Sequence, residues 1–289
     1  MKSIAMLAIG CNTLYPHGIL GDEKAFDAEA ICLALDRIAA LGYDAIEYSH
    51  VAQLSLERAA TVRKHVASLG LRPWSAHSVG GAGIATAGER EETLRRVRWC
   101  LDVGAELGAQ VLVYHAGPAP VWKVGAEHEP YGLEDEAEVI ARMCEQAAGR
   151  GMELAVENGA PLRHMEYLLE LVEHVGAPNL GICVDTGHAA RGDLGAARAV
   201  RMAGGKLYTT HLQDNFGERD DHLPPGMGTI DWDEVADALA DVGYDRVLQL
   251  ELTDRPPAER EYDQDAEMAF GIERAREIAG RIERKRRPQ

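Results

Sequence analysis

Six apolar runs in this 289-residue sequence end on a side chain that can bind a cation or carry a proton. They are LRPWSAH at His77, QVLVYH at His115, MELAVE at Glu157, LGICVD at Asp185, KLYTTH at His211, and VLQLEL, which presents Glu251. One polar residue at the end of a strand is ordinarily a solvated rim, but six in one chain form a pattern. Carboxylates and imidazoles gathered at one place repel one another or stay unsatisfied unless a cation holds them. Glu157, Asp185, His211 and Glu251 make the strongest set, with three carboxylates and one imidazole. Oxygen donors with a single nitrogen suit one divalent ion, Mn²⁺ foremost, with Mg²⁺, Co²⁺ and Zn²⁺ as alternatives. Four protein ligands leave two positions of an octahedral ion to substrate oxygens, as catalysis requires.

The elements that must position these residues alternate along the chain. Strand character falls at about 4–9, 44–48, 71–77, 110–115, 152–157, 180–185, 206–211 and 247–252. Segments with helical 3.6 periodicity run between them at Ala28–Leu41, Leu56–Leu69, Glu89–Leu107, Glu134–Arg150, Arg163–His174 and Asp231–Val242, with a last helix at about 263–284. Gly42, Gly70, Gly108, Gly151 and Gly243 each stand where a helix should stop before the next strand. Eight β/α units without a linker or composition shift predict one (β/α)8 TIM barrel over 1–289, with a basic, frayed tail at about 284–289. A doubly wound open sheet is the alternative. In a parallel barrel the chemistry belongs at the C-terminal ends of the strands, where the polar residues lie.

Composition narrows the function classes. There are 47 acidic against 30 basic residues, a formal net charge of −17, which argues against a nucleic-acid partner. No stretch approaches the roughly 20 apolar residues that span a bilayer, and the first residues read as a strand rather than a signal peptide. Five scattered cysteines without a C-x-x-C pair suit a reducing, cytoplasmic setting and exclude a disulfide framework. A homo-oligomer is compatible with the sequence but not specified by it.

Several residues keep more than one reading. His77 and His115 either bond substrate oxygens in the pocket, serve as structural histidines, or ligate metal. Asp214 either orients His211 or caps a loop, and Asn158 points outward into the helix layer or caps the following turn. The glycine-rich stretch VGGAGIATAGE (79–89) either cradles a phosphate or forms a flexible rim, with Thr86 starting the next helix.

The stretches LAVENG (154–159), CVDTGHA (183–189), HLQDN (211–215), DDHLPPGMGTIDW (220–232) and QLEL (249–252) resemble the xylose-isomerase-like barrel superfamily, in order along nearly the whole chain. Within it the sequence is most similar to the sugar phosphate isomerase/epimerase family, with ketose 3-epimerases, hydroxypyruvate isomerases and inosose dehydratases. The resemblance implies that Glu157, Asp185, His211 and Glu251 hold the metal, that Glu157 and Glu251 are also the acid/base pair, and that His188 touches substrate hydroxyls. It implies proton abstraction α to a carbonyl of a sugar, sugar acid or cyclitol through a metal-stabilised enediolate, chemistry these residue types can perform. Ketose epimerases often carry a substrate-binding Arg six residues beyond the ligand histidine. Here that position is Gly217, and Arg219 is the residue offered for the contact. A lyase of the inosose-dehydratase type is the first alternative. The superfamily also contains apurinic-site endonucleases with a multinuclear zinc site. By that resemblance Asp220 and His222 become additional metal ligands, and an endonuclease is the second alternative.

Overall fold

The computed structural model describes residues 7–13, 28–49, 51–78, 84–117, 132–253 and 260–287. The strands are β1 (Ile9–Asn12), β2 (Ala45–Tyr48), β3 (Arg72–His77), β4 (Val111–Tyr114), β5 (Glu153–Glu157), β6 (Leu180–Asp185), β7 (Leu207–His211) and β8 (Leu248–Leu250). Around them stand α1 (Ala28–Ala40), α2 (Leu56–Leu69), α3 (Ala87–Leu107), α4 (Leu133–Ala148), α5 (Leu162–Val175), α6 (Thr186–Ala190), α7 (Ala196–Ala203), α8 (Trp232–Asp241) and α9 (Gln264–Arg286). All strands are parallel, in the order β7-β6-β5-β4-β3-β2-β1-β8. A bridge between Leu212 and Leu250 joins the two ends, with Leu212 donating to the Gln249 carbonyl at 2.8 Å. The chain is thus a (β/α)8 barrel, and the open-sheet alternative is set aside.

Local signals act as expected at most boundaries. Thr86 caps α3 in a reciprocal box with Glu89. The five glycines predicted to end helices all have positive φ, between 70° and 87°, a region open to glycine at little cost. Three boundaries differ from expectation. Of the described residues of the first predicted strand, 7–9, only Ile9 lies in β1, which continues to Asn12. Cys11 there matches Ile46 and Leu250, and that register places the strand. The basic tail is helical to Arg286, because Arg286 bonds the Leu239 and Tyr244 carbonyls and Lys285 bonds Asp241. Two short helices, α6 and α7, fill the stretch between β6 and β7, where small residues hide any apolar stripe. Residues 79–83 of the glycine-rich stretch lie outside the described residues.

Two apolar clusters hold the barrel together. The larger one lies between sheet and helices and includes Ile38, Leu94, Leu101, Ile140, Leu168 and Leu239. A smaller one gathers Ala45, Trp74, Val111, Val113, Ala155, Cys183, Tyr208 and Val247. Ala45, Val113, Ala155 and Cys183 lie two positions before Glu47, His115, Glu157 and Asp185. Side chains two apart share a face, so this cluster is the plug inside the barrel and the polar residues form the layer above it. Among the described residues no helix is long and apolar enough to cross a membrane.

Candidate metal centre and active site

Strand register brings the ligands together. Glu157 is level with Cys183, and Asp185 with His211. Asn158 locks the first step: its Oδ1 accepts from the Asp185 amide at 2.8 Å and its Nδ2 donates to the Asp185 carbonyl at 3.1 Å. Asn158 is therefore buried between two strand ends, rather than turned outward as its position suggested. Thr186 locks the second step, with its hydroxyl 2.7 Å from the Gln213 carbonyl and accepting from the Gln213 amide at 3.0 Å. Asp185 also caps α6, accepting from the His188 amide at 2.6 Å. A single helical turn therefore carries the polypeptide from Asp185 to His188.

Glu157, Asp185, His211 and Glu251 each offer a donor atom, and these four atoms lie within 4.8 Å of one another. Two further triads border this group: His77, His115 and Glu157 on one side, and His188, Asp220 and His222 on the other. His211 Nδ1 is 3.2 Å from Glu157 Oε1 and 3.3 Å from Glu251 Oε2. Glu157 also faces His77 Nε2 at 3.3 Å, His115 Nε2 at 3.5 Å and His188 Nδ1 at 3.3 Å. Close as they are, these contacts lack hydrogen-bond geometry: both Glu157 oxygens, His211 Nδ1 and Glu251 Oε2 are buried without a hydrogen-bond partner. Buried polar atoms are nearly always paired. Donors aimed at one point rather than at one another are what a cation needs, so these residues fit a divalent metal.

Electrostatics in the metal-free cluster describe the same tension. Burial pushes the Glu157 carboxyl up, but the imidazoles of His115, His211 and His188 hold it well below the usual range. Burial, reinforced by Glu251, Glu157 and Asp220, raises Asp185 to about 7. His77 and His222 rise to about 9 against burial, through Glu157 and Glu251 respectively. Burial leaves His115 low, at about 4. Without a cation, protonated imidazoles balance the carboxylates; a bound metal would displace those protons.

The outer residues divide. Asp220 Oδ2 lies 3.0 Å from His188 Nε2 and 3.4 Å from His222 Nε2, so both additional ligand candidates join the site. His222 sits at φ 48°, an uncommon conformation for a side chain other than glycine. Arg219 does not join it: its side chain is 63% exposed and pairs with Asp221 at 3.6 Å. Asp214 turns away from His211. Its oxygens accept from the amides of Asn215, Gly226 and Ile230 and from the Trp232 indole, which organises the loop after β7. A Cβ on Gly228 would come within 2.3 Å of Asp214 Oδ1, so the G-x-G of this loop serves packing around Asp214.

Two residues escaped the reading of the sequence. Gln213 donates to both Asp185 oxygens, at 3.2 and 3.3 Å, and to Asp220 Oδ1 at 2.9 Å. It packs so closely over Gly187 that a Cβ there would stand 2.0 Å from Gln213 Oε1. Glu47, inside β2, is 3.0 Å from His211 Nε2. The alternation in DAIEY placed Glu47 and Ala45 on one face, but nothing local showed that this face meets His211 across the barrel.

The fold and site define a xylose-isomerase-like barrel. The chain matches the family described as xylose isomerase-like TIM barrel over residues 35–271 and belongs to it. It is 26% identical over 260 residues to a ketose 3-epimerase of Arthrobacter globiformis, covering 85% of this chain and 83% of that protein. An uncharacterized protein of Methanocaldococcus jannaschii is 30% identical over 169 residues, 56% of this chain, and the match spans 57% of that relative. The structure of an L-ribulose 3-epimerase superposes with a TM-score of 0.78 at 20% identity, over 97% of both chains, and so shares the fold.

Proposed function

We propose that this chain is a divalent-metal-dependent isomerase or epimerase of a sugar, sugar acid or cyclitol, working by proton abstraction α to a carbonyl. The observation that carries the reading is the convergence of Glu157, Asp185, His211 and Glu251, with both Glu157 oxygens, His211 Nδ1 and Glu251 Oε2 buried and without a hydrogen-bond partner. Likeness to a ketose 3-epimerase over most of both chains supports the substrate class. Glu157, Asp185, His211 and Glu251 would hold the ion, Mn²⁺ being the best match to the donor set. Bound there, a divalent ion supplies Lewis-acid polarisation of the substrate carbonyl.

Glu157 and Glu251 then carry the proton work. They rise from β5 and from the residue following β8, so their carboxylates reach the same space from different strands. One takes the proton from the carbon next to the carbonyl and the other returns one, the order being set by which face of the substrate each meets. His77, His115 and His188 bond the remaining substrate oxygens in this reading, and Arg219 reaches the substrate only from the rim. We further propose that residues 1–289 act as one barrel domain in the cytoplasm, on a small molecule and without nucleic acid. Its five unpaired cysteines and acidic charge are consistent with this.

A second reading draws on the two bordering triads. His77/His115/Glu157 and His188/Asp220/His222 are spaced to hold further cations, which favours a polynuclear hydrolytic site of the apurinic-endonuclease type. The net charge of −17 weighs against the duplex such an enzyme must grip. One set of measurements separates the readings. Ketoses, sugar acids and cyclitols are incubated with the Mn²⁺-loaded protein in D₂O and followed by proton NMR. Deuterium entering a carbon-bound position of an epimerised or isomerised product supports the first reading. An unsaturated or dicarbonyl product absorbing in the ultraviolet replaces it with a lyase. About three zinc ions per chain together with nicking of abasic duplex would overturn it.

A further inference from the structure

We infer that Glu47 is a positioning residue that sets the tautomer and orientation of His211 for cation binding, with Ser75 fixing Glu47 in turn. The inference rests on the reading of the cluster as a cation site and adds a residue from a strand that supplies no ligand. Glu47 is 1% exposed, and its carboxylate is surrounded by the barrel interior. Burying a carboxylate is costly unless it is paired, and the apolar plug directly below, with Ala45 on the same face, shows that this interior is otherwise filled with hydrophobic side chains. Glu47 Oε2 accepts from the Ser75 hydroxyl at 2.6 Å and meets His211 Nε2 at 3.0 Å.

The other nitrogen of the same ring decides the argument. His211 Nδ1 faces Glu157 Oε1 and Glu251 Oε2 at 3.2 and 3.3 Å without hydrogen-bonding either. A neutral imidazole has one N–H and one lone pair, and the hydrogen bond made by one nitrogen determines which. With its Nε2 proton donated to Glu47, His211 presents a lone pair at Nδ1, toward the space shared by the two carboxylates. Without Glu47, the ring proton would gain more by sitting on Nδ1 between those carboxylates, and the nitrogen would be closed to a cation. A carboxylate behind a ligand imidazole also raises its basicity and fixes its ring plane. Because β2 and β7 are three strands apart around the closed barrel, the contact also braces the ring across the interior.

The test uses the full-length, metal-free chain titrated with Co²⁺, in the unaltered protein, in Glu47→Gln and in Ser75→Ala. The first variant keeps the size of the side chain and removes its charge; the second keeps the charge and frees the carboxylate to move. Glu47→Gln is expected to weaken the tightest-bound Co²⁺ by about 10- to 100-fold and to change its visible absorption, while the metal-free melting temperature stays level or rises. Ser75→Ala should act in the same direction with a smaller effect, and it carries the test if Glu47→Gln does not fold. Unchanged Co²⁺ affinity and spectrum in the variants would overturn the inference, as would a lower metal-free melting temperature with the Co²⁺ signals intact. Failure of the unaltered chain to bind Co²⁺ would overturn the cation reading, and this inference with it.

Discussion

Ala155 and Glu157, Cys183 and Asp185, and Val113 and His115 lie two positions apart in each case. Across that step the barrel interior changes from a close-packed apolar plug to a layer of charged donors. The lower layer is fully buried, and its members contact one another. In the upper layer Glu157, Asp185 and His211 are just as deeply placed, yet Glu157, His211 and Glu251 keep polar atoms without hydrogen bonds. The same backbone, with the same alternation of side chains, therefore does two kinds of work. The plug contributes stability through area removed from water. The layer above it costs stability in the metal-free state and holds its geometry because the plug and the locked strand ends, through Asn158 and Thr186, leave it no room to relax. Stability concentrated below and tension above is the arrangement expected where function is built on a rigid scaffold.

The contrast can be broken most forcefully from above. Glu157→Gln should lower turnover by about 10²- to 10⁴-fold without lowering the melting temperature of the metal-free protein. Steady-state rates and thermal melts on one preparation check both halves. Substantial residual turnover would remove the two-carboxylate mechanism.

The next effect is on stability and lies beside the site rather than in it. His164 is buried between the Gly159 amide, which donates to its Nδ1 at 2.6 Å, and the Ala116 carbonyl, 3.0 Å from Nε2. Burial lowers it to about 4 from 6.5. The folded state thus favours the neutral ring, so its contribution is complete above pH 6.5 and is lost as the pH falls toward 4. The loss amounts to about 3 kcal/mol at most. Urea midpoints measured from pH 7 to 4 should fall more steeply for the unaltered chain than for His164→Asn, which has no titrating group at that position. Parallel curves would refute the assignment.

Below the site, Val113→Ala should cost about 2 kcal/mol of stability through lost burial and a small cavity, while leaving turnover within a few-fold. A large loss of turnover at unchanged stability would mean that the plug does more than support. Smallest of all is Arg219→Ala. Its loose 3.6 Å pair with Asp221, made from a largely exposed side chain, contributes under about 1 kcal/mol, so stability should not change measurably by denaturant titration, and any effect belongs in KM.

Much of the fold was legible because its signals are local. Alternating strand and helix periodicities, and a glycine after each of five helices, follow from backbone sterics that neighbouring residues settle among themselves. Helices α6 and α7 were not legible, since TGHAA and AARAVRMA carry too few large apolar residues to show a stripe. Residues of the candidate site that end strands stood out by position. Glu47 did not, because it lies inside a strand, and its partner is 164 residues away. Asp214 was read as either of two things, and the choice went to the loop: four donors from residues 215–232 converge on its carboxylate, which leaves none of it for His211.

By itself, then, the sequence determined the eight strands, seven of the eight helical connections, the (β/α)8 class and the kinds of donor atoms the barrel could offer at its mouth. Each of those depends on residue type and on spacing within a few positions. Only the tertiary structure decided which donors share one point, that His188, Asp220 and His222 stand together beside the first group, that Arg219 stays at the rim, and that Glu47 backs His211. Those outcomes depend on strand register and barrel closure, which bring distant residues within hydrogen-bond reach and are specified by the packing of the whole chain rather than by any segment of it.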